Sequence, residues 1–176
     1  DEREFVSIMG PSGSGKSTLS RIIAKETGAV IIDHDIVKTA LMESLESTDN
    51  SKSTGGMAYH IEWSLIDFHL SQGLNVIHDS PCLYSEMIEQ GKRLSKKYNT
   101  KFKYIECYIS NMKEINHRLK QRERMISQIE QVQSEEGFKA SLQKNQRPTD
   151  VDYLTVDTSE PVENYIGKVM KYILES

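Results

Sequence analysis

The stretch from Gly10 to Ser17, GPSGSGKS, constrains the fold of this chain more than any other feature of its sequence. It fits the pattern G-x-x-x-x-G-K-[ST], in which the glycines let successive backbone N–H groups turn toward one anion. An apolar run, Glu4–Met9, precedes this loop, and Lys16–Thr27 follows it with apolar residues at helical spacing. A strand, a glycine-rich loop and a helix in this order predict a phosphate cradle at the N-terminus of the helix.

Two side chains of the loop carry the chemistry expected of such a cradle. The Lys16 ammonium is predicted to serve the β- and γ-phosphates of a nucleotide as a mobile point charge, and the Ser17 hydroxyl is predicted to ligate Mg²⁺. The loop therefore predicts a nucleoside triphosphate, bound together with Mg²⁺. The loop residues expected to hold the nucleotide are Ser12, Gly13, Ser14, Gly15, Lys16, Ser17 and Thr18.

Short apolar runs alternate with longer amphipathic segments along the whole chain. This alternation predicts an α/β fold with three α/β/α layers and a five-stranded, mostly parallel sheet. There is no internal repeat, so residues 1–176 are expected to form one domain. Strands are predicted over Glu4–Met9, Ala29–Asp33, Leu74–Asp79, Lys101–Ile109 and Val151–Asp157, and helices over Lys16–Thr27, Ile36–Leu45, Met57–Ser71, Leu83–Tyr98, Asn111 to about Arg122, and Glu160–Leu174.

The periodicity also predicts which faces of the second and third helices are buried. The polar stretch between these two helices, Glu46–Gly56, is predicted to be a loop. The predicted buried residues are Ile36, Val37, Ala40, Leu41 and Leu45 in the second helix, and Ala58, Ile61, Leu65 and Phe68 in the third.

Composition argues against several other classes of protein. Of the 176 residues, 37% are apolar and 27% are charged, as in an ordinary globular protein, and the net charge of −4 disfavours a surface that coats nucleic acid. No apolar run approaches the ~18 residues of a membrane span, and the first predicted strand begins too early for a secretory signal peptide. Cys82 and Cys107 lie far apart in apolar surroundings, which predicts buried, reduced thiols and a cytoplasmic location.

The second predicted strand ends in two aspartates, Asp33 and Asp35, which flank His34. Ligands bind at the carboxyl ends of parallel strands, so both carboxylates are expected near the phosphate loop. One carboxylate there can orient and deprotonate a hydroxyl, and another can hold the metal. The alternative for either aspartate is a cap on the following helix, and His34 is expected to be a bystander.

Two further groups of charged residues belong to the predicted site. Asp79 ends the third strand and is expected near the metal or the acceptor, or as the first residue of a turn. Arg118 and Arg122 are four residues apart, so they share one helix face, for which a solvated basic surface is the alternative. They open a charged segment of residues 118–148, which is predicted to form a mobile lid or a poorly packed excursion.

The glycine-rich loop, the two aspartates after the second strand, Asp79 and the lid arginines together resemble the P-loop kinases. This group includes shikimate and gluconate kinases, polynucleotide 5′-kinases and chloramphenicol phosphotransferase. The resemblance in element order covers essentially the whole chain. It implies a P-loop NTPase fold and an ATP- and Mg²⁺-dependent transfer of the γ-phosphoryl group to a hydroxyl of a small-molecule acceptor.

The same resemblance implies roles for the carboxylates. Asp35 corresponds to the general base, Asp33 to a ligand of the metal or the substrate, and Asp79 to an acidic residue near the metal or the acceptor. Lys38 stands where polynucleotide kinases carry an arginine that contacts nucleic-acid phosphate. Because lysine lacks the bidentate geometry of arginine, this substitution disfavours a nucleic-acid acceptor.

The resemblance also implies roles for the basic residues. Arg122, with Arg118 and Arg124 in support, corresponds to the lid arginine that neutralises charge on the transferring phosphoryl group. Arg147 precedes the last strand, in the region that borders the adenine in nucleoside-monophosphate-kinase-like folds.

Two other functions stay open at this point. A polynucleotide 5′-hydroxyl kinase is favoured by the basic stretch Lys92–Lys103 and disfavoured by the acidic net charge. An ATP-binding regulatory module without efficient transfer would be indifferent to the loss of Asp35, and the pair of aspartates disfavours it. A toxin-like kinase of the zeta group is a variant of the small-molecule kinase.

Overall fold

The structure, a computed structural model, describes residues 3–45, 51–109 and 111–175, with the backbone alone for residues 51–53. Within these ranges, five strands and seven helices alternate along the chain. The strands are β1 (Glu4–Met9), β2 (Val30–Asp33), β3 (Val76–Asp79), β4 (Lys101–Tyr108) and β5 (Tyr153–Asp157). The helices are α1 (Lys16–Thr27), α2 (His34–Ser44), α3 (Ser51–Ser71), α4 (Ser85–Tyr98), α5 (Met112–Gln121), α6 (Glu135–Lys144) and α7 (Val162–Leu174).

The strands form one parallel sheet in the order β2-β3-β1-β4-β5. In the central strand, Phe5 pairs with Val76 of β3 on one side and with Phe102 of β4 on the other. Every residue of β1 is buried, which accounts for the largely apolar run before the phosphate loop. The chain fills one side of β1 and then crosses to the other, so the loop after β1 lies at a topological switch point.

Helices cover both faces of the sheet, so the predicted three-layer α/β fold is confirmed. On one face, Leu19 and Ile23 of α1 pack with Val169 of α7. On the other face, Ile66 of α3 packs with Leu94 of α4. Except at the start of α3 and in the lid, the element ends agree with the predicted ones to within two residues.

The buried face of α3 differs from the predicted one. This helix begins at Ser51, so the second half of the predicted loop is helical, and residues 46–50 lie outside the described part of the chain. Of the predicted stripe, Ala58 is buried, but Ile61, Leu65 and Phe68 are exposed. The buried positions recur every fourth residue, and two of them are polar. Because the prediction uses apolar residues only, it assigns the wrong face of the helix to the core. The buried positions are Thr54, Ala58, Glu62, Ile66 and Leu70.

The predicted apolar face of α2 is also wrong in part. Ile36 is 54% exposed and Leu45 is 41% exposed, and the buried residue of this helix is His34. Helix α2 packs on α3 at the edge of the sheet beside β2, so only a small part of its surface can be covered.

Cys82 and Cys107 are buried free thiols, and burial raises their pKa to about 11 and about 12. Such thiols are protonated and unreactive at neutral pH. None of the described helices combines the length and the apolar character that a membrane span requires.

Candidate active site

The loop after β1 requires glycine at several positions. Gly13 and Gly15 each have a φ of +82°, a conformation that other residues rarely adopt. An added Cβ on Gly10 would lie 2.6 Å from the Cys107 carbonyl oxygen, so the start of the loop can approach β4 only without a side chain. Gly15 is also the N-cap of α1 and offers no side chain to the first turn, whose N–H groups have no intrahelical partners. This is the cradle for an anion that the sequence predicts.

An open cavity of about 560 Å³ lies above the loop, a volume typical of small-molecule sites. Asp35, Arg118 and Arg122 line the same cavity as the loop, so the structure brings together three parts of the predicted site that are distant in sequence. Ser14 is buried within the loop. The other predicted loop residues all line the cavity: Ser12, Gly13, Gly15, Lys16, Ser17 and Thr18.

Two hydrogen bonds fix the loop. The Lys16 ammonium donates to the Pro11 carbonyl oxygen at 3.1 Å, which keeps its charge beside the loop. The Thr158 hydroxyl, in the turn after β5, donates to the Ser14 carbonyl oxygen at 2.8 Å. The turn after β5 therefore helps to fix the position of the loop.

Arg118 links α5 to that same turn. Its Nε donates to Glu114 at 2.8 Å, and its terminal nitrogen donates to the Thr158 carbonyl oxygen at 2.8 Å. An added Cβ on Gly15 would lie 3.9 Å from the Arg118 guanidinium, so this cation is close to the N-terminus of α1. Arg118 thus both braces the loop and adds positive charge to the cavity.

Arg122 is the C-cap of α5 and opens the rest of the lid. Its guanidinium donates to the Ile129 carbonyl oxygen at 3.0 Å, while its buried Nε has no hydrogen-bond partner among the described residues. Burial lowers the pKa of Arg122, and the charge of Asp35 acts in the opposite direction. A buried N–H without a partner is costly, so an anionic oxygen in the cavity would satisfy it.

Asp35 is held by the lid. The Gln128 amide donates to Oδ2 of Asp35 at 2.7 Å, and the Ser127 hydroxyl donates to the Asp35 carbonyl oxygen at 3.1 Å. Thr39, one turn further along α2, donates to the Ser127 hydroxyl at 2.8 Å. The part of the lid between α5 and α6 is therefore docked on the start of α2. Gln128 is a site residue that carries no signal in the sequence.

Asp33 has the capping role that the sequence leaves open. Its Oδ1 accepts hydrogen bonds from the backbone N–H groups of Asp35 and Ile36 at 2.8 and 3.3 Å. It pairs across the sheet with Asp79, whose Oδ2 accepts from the Ser20 hydroxyl of α1 at 3.1 Å. Both carboxylates are buried, and burial and the charges of Asp79 and Asp35 raise the pKa of Asp33 to about 6.

These crowded carboxylates fit a divalent cation. Like charges disfavour one another in a buried place, and a bound cation offsets that repulsion. Within the described ranges, no three His, Cys, Asp or Glu side chains form a metal-binding group on their own. Mg²⁺ typically takes one or two carboxylates together with phosphate oxygens and waters, so an incomplete protein cage is compatible with it.

We expect Asp33→Asn to raise the free energy of unfolding at pH 7.5 without Mg²⁺ by about 1 to 3 kcal/mol. The raised pKa means that Asp33 ionises less readily in the folded state than in the unfolded state. The folded state therefore loses stability as the pH rises from about 4 to about 6. Asparagine also caps helices well, so α2 keeps its cap. Denaturant unfolding of both proteins from pH 4 to pH 8 measures the difference, which should grow over that window and then stay constant. A difference independent of pH would contradict the assigned cause.

Contrary to the sequence-based expectation, Arg147 does not line the cavity. Its Nε and terminal nitrogen bind the two oxygens of Glu106 at 2.7 and 2.9 Å. Glu106 is buried on the face of β4 opposite to Ile105 and Cys107, which pack with α1 and α7. Lys38 is also absent from the lining of the cavity.

Replacing Arg147 by methionine should therefore affect stability and not nucleotide binding. The change would leave the buried Glu106 carboxylate without its bidentate partner, which we expect to lower the free energy of unfolding by about 1 to 3 kcal/mol. The affinity for ATP, measured by calorimetry, should equal that of the wild type. Lys168→Met, on the exposed surface of α7, is the matched control. A weakened ATP affinity with unchanged stability would return Arg147 to the nucleotide site.

The structure also reveals a cluster that sequence reasoning missed. Glu62 of α3 is fully buried and binds His34 and His78 through its two oxygens. Each histidine stands next to a site aspartate at the end of a strand, in DHD and VIHD. This adjacency is a usable signal once β2 and β3 are known to pair.

Comparisons with known sequences match different lengths of the chain. A family model described as an AAA domain, AAA_33, matches residues 6–148, from β1 to the end of the lid. A cytidylate kinase of Shewanella piezotolerans is 29% identical over 76 residues, which are 41% of this chain and 33% of that protein. The match thus spans about a third of the length of this curated relative.

Solved structures extend the likeness to the whole chain. A putative kinase from Chloroflexus aurantiacus superposes with a TM-score of 0.76 at 16% identity, over 98% of this chain and 99% of that one. An APS kinase of Mycobacterium tuberculosis, solved in complex with AMPPNP and APS, superposes with a TM-score of 0.64 at 15% identity, over 100% of both chains. At these identities the likeness establishes the fold. The chain belongs to the AAA_33 family of AAA domains, and its fold is that of the P-loop kinases.

Proposed function

We propose that the protein transfers the γ-phosphoryl group of ATP to a hydroxyl of a small-molecule acceptor, with Mg²⁺ as the metal. The observation that carries this proposal is that Lys16, Asp35 and Arg122 line one cavity at the N-terminus of α1. A cation at the phosphates, a carboxylate for the acceptor and a lid arginine for the developing charge are the groups that this reaction needs. A module that only binds ATP needs no carboxylate that deprotonates an acceptor hydroxyl.

The loop and its neighbours would hold the cofactors. The N–H groups of the loop and Lys16 would bind the phosphates of ATP, and Ser17, Asp33 and Asp79 would hold Mg²⁺. When bound, Mg²⁺ supplies positive charge to the phosphate oxygens. The M. tuberculosis APS kinase, which was solved with AMPPNP and APS, supports the proposal that the shared fold holds a nucleotide and an acceptor together.

The hydrogen bond on Asp35 supports a position for the acceptor hydroxyl. Oδ2 of Asp35 accepts from the Gln128 amide at 2.7 Å, the distance at which it would accept from a hydroxyl. An acceptor hydroxyl that donates its proton to Asp35 would take the place of this amide. The Gln128 side chain must then give way, and it lies in the same lid that carries Arg122. Acceptor binding and the placement of Arg122 are thus coupled in this proposal.

The polynucleotide alternative receives less support from the structure. The basic stretch Lys92–Lys103 favours it, but Lys92 pairs with Glu89 and Asp150, and Lys97 pairs with Asp67. Paired lysines offer less charge to a phosphate backbone than free ones. The acceptor class nevertheless deserves a direct comparison in one assay.

The test is transfer of label from ATP radiolabelled at the γ-phosphate. The acceptors are sugars, polyols, hydroxy acids, nucleosides and a 5′-hydroxyl oligonucleotide, each with Mg²⁺ and with EDTA. We expect label on a small hydroxyl compound only with Mg²⁺, and none with Lys16→Ala. Label on the oligonucleotide alone would favour the polynucleotide alternative. Nucleotide binding without label on any acceptor would overturn the proposal and favour the regulatory module.

A further inference from the structure

Glu62 lies at the centre of a buried cluster that the proposed reaction does not use. Its Oε1 lies 2.7 Å from Nδ1 of His34, and its Oε2 lies 2.9 Å from Nε2 of His78. Glu62 and His78 are fully buried, and His34 is 6% exposed. We call this arrangement of His34, Glu62 and His78 the Glu62 bridge.

The geometry of the bridge is tightly held. The ring of Tyr59 stacks on His34 with centroids 4.4 Å apart, and the ring of Trp63 meets the edge of His78 at 4.9 Å. Burial acts to raise the pKa of Glu62, but the hydrogen bonds from His34 and His78 outweigh it, and the pKa is lower than usual. The carboxylate is therefore an acceptor on both sides, and both histidines donate to it.

The bridge is a costly way to fill a core. Apolar residues of similar volume often replace a buried ionic group without loss of stability. Here Nδ1 of His78 is also buried, with no hydrogen-bond partner among the described residues. A network with such a cost and with an unsatisfied atom is poorly explained by stability alone.

The position of the bridge suggests what it does instead. His34 stands between Asp33 and Asp35, and His78 directly precedes Asp79. Asp33 and Asp79 are partners in the register of β2 and β3, and their charges repel one another. The ends of β2 and β3 therefore place two negative charges side by side. Glu62 of α3 binds the histidine next to each of them.

We propose that Glu62 is a positioning residue for the three carboxylates of the site. By binding His34 and His78 at the same time, it ties the start of α2 and the end of β3 to α3. It thereby places Asp33 and Asp79 for the Mg²⁺–nucleotide complex and Asp35 for the acceptor. This inference rests on the proposed function, since it assumes that the three carboxylates serve metal and acceptor.

Isosteric substitutions separate the bridge from simple packing. Asparagine carries its amide N–H at about the place of histidine Nδ1, and glutamine carries its own at about the place of Nε2. His34→Asn and His78→Gln should therefore keep the donors to Glu62, whereas His34→Gln and His78→Asn should lose them. Glu62→Gln keeps the shape but replaces one acceptor oxygen by a donor.

The primary readout is the affinity for AMPPNP as a function of Mg²⁺ concentration, measured by calorimetry on folded protein. We expect His34→Gln, His78→Asn and Glu62→Gln to raise the half-saturating Mg²⁺ concentration by about 10-fold or more, as loss of outer-shell partners does at metal sites. His34→Asn and His78→Gln should retain most of the wild-type affinity. Where an acceptor is known, kcat at saturating Mg²⁺ should fall in the same three variants with little change in the KM for ATP.

The unfolding temperature of each variant is measured in parallel. The proposal would be overturned if the two variants at His34, or the two at His78, had the same Mg²⁺ dependence. It would also be overturned if the loss of nucleotide affinity simply followed the loss in unfolding temperature. If Glu62→Gln does not fold, the His34 pair decides, because it leaves Glu62 in place. Failure of the proposed function is a separate result, because calorimetry requires no phosphoryl transfer.

Discussion

Replacing Asp35 by asparagine is expected to lower kcat for transfer to a hydroxyl acceptor by about 10²- to 10⁴-fold, the usual contribution of a general base. The amide cannot take the proton of the acceptor hydroxyl. It can still accept the hydrogen bond from Gln128, so the lid keeps its contact with α2. The affinity for MgATP should change little, because in the proposed complex Asp35 serves the acceptor and not the phosphates.

The measurement is steady-state transfer at saturating ATP, with calorimetric ATP binding beside it. Asp152→Asn removes a charge from an exposed position and serves as the matched control. Undiminished transfer by the Asp35 variant would rule out its role as the base. Loss of ATP binding together with transfer would instead place Asp35 at the metal.

Replacing Arg122 by alanine is expected to lower kcat by about 10²- to 10³-fold, the size of effect seen when one donor to a developing charge is removed. The buried Nε of this residue has no partner in the described part of the chain, and a phosphoryl oxygen would satisfy it. Arg122→Lys keeps the charge but not the planar fork, so it should recover only part of the rate.

Lys120→Ala is the control for Arg122, since Lys120 is an exposed cation on the same helix. Both variants are compared for kcat and for the KM of ATP. An unchanged kcat with a raised KM would assign Arg122 to binding of the ground-state nucleotide. That outcome would weaken the role of the lid in the transfer step.

Features that depend on local chemistry could be predicted from the sequence. The phosphate loop follows from its glycines and lysine, and Gly10, Gly13 and Gly15 have the conformations or close approaches that only glycine allows. Parallel strands end at one edge, so the position of Asp33 and Asp79 at that edge could be predicted as well, whereas their direct pairing depends on the strand order.

Features that depend on partners distant in sequence could not be predicted in this way. Glu62 is buried because His34 and His78 come to it from two other elements, and an acidic residue on a helix gives no sign of such partners. Phe68 is the opposite case, an apolar residue of the same helix that is exposed. Periodicity alone cannot tell which of two adjacent faces of a helix packs on the sheet. Gln128 reaches Asp35 from a lid without hydrophobic pattern, and only the fold brings the two together.

The central place of β1 in the sheet has a consequence for the order of folding. Glu4 pairs with Lys101 and Phe5 with Val76, so the strand that leads into the phosphate loop is synthesised before both of its neighbours in the sheet. Pairings so distant in sequence form slowly compared with local ones. A nascent chain that ends before Lys101 contains every residue of the loop but lacks the β4 neighbour of β1, against which Gly10 closes. Nucleotide affinity should therefore arise only after β4 has left the ribosome, although the sequence motif of the loop is synthesised more than eighty residues earlier.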